Sequence, residues 1–136
     1  MKRIIFILML LLSTFAVKAE TQTYVGTSYA VADVSYGKYY WSQWYDCNVL
    51  IVINTDANLI TIGSNVPQMY RIYSYEGNQF DNGGGQQAVF RVVDSEGDYG
   101  KLRIRVIYDR YGNVTQSQIY IDFRNVAWVY NITAYY

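Results

Sequence analysis

"KLRIRVIY" (Lys101–Tyr108) and "QIYIDF" (Gln118–Phe123) decide the fold. In the first, Leu102, Ile104 and Val106 alternate with Lys101, Arg103 and Arg105; in the second, Ile119, Ile121 and Phe123 alternate with Tyr120 and Asp122. Successive side chains of a strand point to opposite faces, so a period of two gives each segment one dry face and one wet face. A helix needs apolar residues about every 3.6 positions, and no stretch after Glu20 keeps that spacing for long. The pattern places Leu102, Ile104, Val106, Ile119 and Ile121 in the core, with Ile51 beside them, and leaves Arg103 and Arg105 wet.

Upstream, "CNVLIVIN" (Cys47–Asn54) is continuously apolar, which predicts a strand covered on both sides. Shorter β-rich runs follow at "NLITIG", "MYRIYSY" and "AVFRVVD". The segments between them carry hairpin chemistry. "NTDAN" (Asn54–Asn58) offers Asn58 for positive φ, and "DRYG" (Asp109–Gly112) suits a type I turn closed by a left-handed glycine. "DSEGD" (Asp94–Asp98) is a similar turn. Pro67 holds Val66 extended and marks a corner or strand edge. "EGNQFDNGGGQQ" (Glu76–Gln87) is the longest stretch poor in apolar residues, and is expected to be a mobile loop.

These signals give an all-β domain of seven or eight antiparallel strands joined mostly as neighbours. Such a meander leaves open edges unless it closes, so a small β-barrel is expected, with a two-sheet sandwich as the alternative. A final strand in "NVAWVYNITAYY" (Asn125–Tyr136) that paired with the first would close the barrel and bury Trp128.

The first nineteen residues read as a secretory signal: Lys2 and Arg3, then a fourteen-residue apolar run from Ile4 to Val17, then small residues ending at Ala19. Fourteen residues fall short of the roughly 20 that cross a bilayer. The only Cys, Cys47, is too far downstream to take a lipid after cleavage. Residues 1–19 are therefore set apart as signal and 20–136 as one domain, exported to the periplasm or the exterior, with no stable membrane insertion after cleavage. Lys2, Arg3 and Lys18 leave with the signal, so eight cations face eleven anions and the mature net charge is −3. That balance disfavours nucleic acid as a partner.

The chain has no His, which removes the commonest general base and metal ligand. One Cys makes neither an internal disulfide nor a Cys-rich metal site, and Cys47 is read as a buried thiol ahead of a bridging or reactive one. "DNGGGQQ" opens no helix and is no phosphate cradle. Asp94, Glu96 and Asp98 are the weak candidates for Ca²⁺, although acidic residues around a glycine are ordinary turn material. No cofactor is implied. Asn113-Val-Thr115 and Asn131-Ile-Thr133 match the glycosylation acceptor pattern, which matters only in a host that uses it.

Aromatic residues are the remaining positive signal: all 16 Tyr and all three Trp follow the signal. "YGKYYWSQWYDC" (Tyr36–Cys47) holds six aromatics, with Tyr39, Tyr40, Trp41, Trp44 and Tyr45 as candidate binding residues. The segment reads either as barrel wall and core or as a platform, because Tyr and Trp join a large apolar face to a polar tip. A strand through it would set Trp41 and Trp44 on opposite faces, with only one of them exposed.

"YRIYSYEG", "DSEGD", "IYID" and "VAWVYNI" resemble segments of a group of uncharacterised small exported proteins of gut bacteria and their tailed phages, over roughly Tyr70 to Ile132. The resemblance implies export and a compact β-domain, and brings no activity or site residue with it. The sequence thus points to a non-enzymatic exported β-domain that binds an unknown protein or saccharide through its aromatic surface. The alternatives are an assembly subunit that packs against copies or other subunits, and a hydrolase working with carboxylates alone.

Overall fold

The computed structural model describes residues 21–81 and 84–134, which are all-β. The nine strands are β1 (Thr21–Ser35), β2 (Lys38–Trp41), β3 (Tyr45–Asn54), β4 (Leu59–Ile62), β5 (Gln68–Phe80), β6 (Gly85–Asp94), β7 (Tyr99–Tyr108), β8 (Val114–Asp122) and β9 (Val126–Ala134). The signal segment lies outside the described residues. Every pairing is antiparallel, and from β3 to β9 each strand pairs with its successor. β1 then pairs with both β3 and β9, which closes an eight-stranded barrel with β2 as an extra ninth strand. Closure satisfies the edges that an open meander of this size would leave bare.

The inward rows are the alternating apolar positions. Ile51 faces Ile62, Ile53 faces Ile60, and Leu102 faces Ile121 across adjacent strands, and all six are sealed from solvent together with Ile119. Ile104 and Val106 are only half-buried, although Ile104 packs on the core. β9 covers β8 only from Gln118 to Asp122, and Val106 sits opposite Ser117, just past that cover. Trp128 is likewise half-buried against the core rather than fully enclosed. Cys47 is half-buried too, and its thiol donates to the Gly26 carbonyl at 3.4 Å.

Two segments differ from their sequence reading. "CNVLIVIN" is covered on one side only, and Leu50 is exposed on the outer wall. A closed barrel has a single interior, and among the described residues no second layer packs on this part of its outside. Most of Glu76–Gln87 is strand, since β5 runs to Phe80 and β6 begins at Gly85. Glu76 pairs with Arg91 across the hairpin, and β-bulges between Ile72 and Ser74 and between Tyr75 and Gly77 carry the strand along without regular alternation. The missing apolar period there reflects bulged strand, not loop.

Three hairpins share one turn. The Asp94, Asp109 and Asp81 carbonyls each accept an N–H from a glycine three residues on (Gly97, Gly112 and Gly84), all with φ above +80° or at it. The Asp109 carboxylate also accepts from the amides of Tyr111 and Asn113, and Asp94 does the same with Glu96 and Asp98. Asn58 takes positive φ (54°) as expected.

Candidate functional site

The aromatic segment is built on a chain reversal that its composition conceals. Tyr36 and Gly37 both have positive φ (51° and 77°), the requirement for a two-residue turn matched to strand twist. β2 therefore folds back along β1, with Trp41 opposite Ala32 and Tyr39 opposite Val34. Ser42 continues the pairing: its N–H donates to the Val31 carbonyl at 2.8 Å, and its hydroxyl accepts from the Val31 N–H at 3.0 Å. Tyr45 resumes it opposite Tyr29. β2, a short irregular link and β3 thus form one line beside β1.

Register puts Trp41, Ala32, Ala127 and Asp122 in one row across four strands, on the outer wall. The next row holds Ala30, Val129, Tyr120 and Arg103. Ala30, Ala32 and Ala127 are almost fully sealed from solvent although they face outward. Their small side chains leave a trough, and large side chains from both flanks lean across it. From β2, Tyr39 and Trp41 lie nearly parallel, with centroids 5.8 Å apart and 16° between planes. Trp41 meets Tyr120 edge to face at 6.4 Å, and the Tyr39 hydroxyl donates to Asp122 Oδ1 at 3.4 Å.

The far flank is charged. Arg103 Nε donates to Asp122 Oδ2 at 2.8 Å, and the guanidinium carbon lies 4.4 Å from the centre of the Tyr120 ring. Lys101 stands beside them and approaches Glu76 at 3.7 Å. Burial against the wall, followed by the Asp122 carboxylate, pushes the Tyr39 phenol above its ordinary value, so it stays a proton donor at neutral pH. An open groove results, lined by Tyr39, Trp41, Lys101, Arg103, Tyr120 and Asp122. Arg103 and Arg105 do face outward, but they are not freely wet: each is only a quarter exposed or less and ion-paired, Arg105 with Asp81 at 2.6 Å.

The structure splits the five candidate aromatics. Tyr39 and Trp41 belong to the groove. Tyr40 alternates to the other face of β2, and Tyr45 packs on Tyr29 at 5.4 Å, which in turn meets Tyr130 at 5.9 Å. Trp44 lies in the irregular link, where strand alternation does not apply, so Trp41 and Trp44 are both exposed, at 41% and 49%. The Asp94 carboxylate is engaged by turn amides, and no cluster of three or more metal-ligating side chains occurs among the described residues. Asp94 and Asp98 flank a single turn rather than facing each other across a cleft.

Tyr120, Asp122, Arg103 and Lys101 were visible in the sequence only as the wet faces of two strands. Their meeting with Tyr39 and Trp41 depends on β1–β9 closure, which no local pattern encodes. No protein-family model, curated protein or solved structure matches the chain.

Proposed function

We propose that this is an exported, non-enzymatic binding domain whose outer-wall groove takes a saccharide. The observation that carries the reading is the nearly parallel Tyr39–Trp41 pair, half-exposed beside the Arg103–Asp122 ion pair. A sugar ring has an apolar face of C–H groups that stacks on such rings, and hydroxyls that exchange hydrogen bonds with a carboxylate and a guanidinium at their edge.

Titration of the ¹⁵N-labelled mature chain with a panel of soluble oligosaccharides is the test. The Trp41 indole N–H and the backbone of Tyr39 and Tyr120 to Asp122 are expected to shift, and the Trp128 indole to stay. Shifts confined to other faces, or none across the panel, would refute the groove. Export is part of the reading. The order of basic, apolar and small residues in 1–19 supports it, and the intact mass of the exported protein is expected to begin at Glu20.

Assembly is a second reading with its own support. β4 pairs with β3 only at Ile51–Asn54, so Tyr45–Val49 presents an edge with no ladder on that side among the described residues. Native mass spectrometry of the mature chain separates the two, because a monomer leaves that edge without a copy.

A further inference from the structure

We infer that the barrel mouth beside the β8–β9 turn is a second binding site, for a small zwitterion with an apolar side group, namely a free amino acid or a short peptide. This goes beyond the saccharide reading and does not rest on it, since the mouth and the outer groove share no lining residue.

The mouth holds a cavity of about 570 Å³, within the ~300–1,000 Å³ usual for small-molecule sites. It lies where the barrel end is capped. Gly100 faces inward, opposite Val92, and a Cβ there would lie 2.5 Å from the Asp122 carbonyl and 2.9 Å from the Phe123 ring. The absence of a side chain lets Phe123 fold over the barrel end onto Tyr70, 5.8 Å away. Phe123, Tyr70 and Trp128 make aromatic walls. The Gln68 amide that lines the cavity is already satisfied: it donates to Tyr130 and to Ser64 and accepts from Tyr70. Against these aromatic walls, then, an apolar group is favoured over a polar one.

The rim carries charge of both signs. Asp94 ends β6, Asp98 comes from the β6–β7 turn and Arg124 from the β8–β9 turn, all lining the same cavity. None of the three takes part in an ion pair among the described residues, and the Asp98 carboxylate and Arg124 guanidinium have no hydrogen-bond partner there. Opposite charges that line one cavity without meeting are complementary to a molecule bearing both an ammonium and a carboxylate. The Trp128 indole N–H, also without an acceptor among the described residues, adds one donor on the wall.

The test is a titration of the mature chain with phenylalanine, diphenylalanine, phenethylamine and 3-phenylpropionate, followed at the Trp128 indole N–H. Phenylalanine or diphenylalanine is expected to shift that signal and to bind at least about tenfold more tightly than either singly charged analogue. The tighter of the two identifies amino acid or peptide. Asp98→Asn and Arg124→Gln are each expected to weaken that ligand about tenfold while the thermal midpoint stays put, because both side chains are exposed. Equal binding of an analogue with one charge, or a Trp128 signal unmoved by both zwitterions, would overturn the inference. Loss of saccharide binding in the outer groove would leave it standing.

Discussion

Ile119→Ala is expected to lower the unfolding free energy by about 2–5 kcal/mol, the usual cost of a cavity left in a packed core. Ile119 is sealed from solvent, lies opposite Ile104 on one side and Tyr130 on the other, and belongs to the single cluster that fills the barrel. The barrel cannot collapse onto the void without breaking ladder hydrogen bonds on both sides, so little relaxation is available. Ile104→Ala should fall at the low end of that range, because Ile104 is only half-buried. Urea unfolding of the parent chain and of the Ile119→Ala, Ile104→Ala and Tyr36→Ala variants measures the order directly. An Ile119→Ala loss no larger than that of Tyr36→Ala, whose side chain is fully exposed, would contradict the inward register of β8.

That register was legible because β7 and β8 alternate without a bulge over Lys101–Ile107 and Gln116–Asp122. Period-two patterning is a local property of a regular strand, and a reader of the sequence recovers it wherever the ladder is regular. β1 shows the opposite case. Its register shifts between Gly26 and Ser28, so the inward set passes from Tyr24 and Gly26 to Tyr29 and Val31. One extra residue flips every later side chain, and fifteen residues of strand carry no continuous alternation. The same cause hid the far half of β5.

The groove was half legible. Aromatic density drew attention to Tyr39 and Trp41, since Tyr and Trp suit surfaces that are apolar on one side and wet on the other. The choice between platform and wall could not be made locally, because it depends on what lies beneath. Ala30, Ala32 and Ala127 look like unremarkable small residues along the chain, yet they form the trough that the rings roof. Both rings pack beside each other over the wall and stay partly exposed. The fold places both rings on the wall and leaves them partly exposed, and the platform role is the one proposed for them above.

The second large effect follows from that combination. In the Tyr39→Ala/Trp41→Ala double variant, the stacking surface disappears while the ion-paired Arg103 and Asp122 remain. Removing two half-buried rings exposes the alanine trough and is expected to cost about 1–3 kcal/mol together, at ~25 cal/mol per Å² of apolar surface uncovered. That leaves the barrel folded, because the inward cluster is untouched. Saccharide affinity should fall much further, by at least about a hundredfold if each ring contributes a stacking contact of ~1.5 kcal/mol.

The measurement that bears most directly on the groove is this double variant, read for saccharide affinity and thermal midpoint in the same sample. The account predicts a folded protein with a modestly lowered midpoint and no detectable binding of the oligosaccharide that the parent chain binds. Retained affinity together with a lowered midpoint would contradict it, and would make the two rings part of the wall alone.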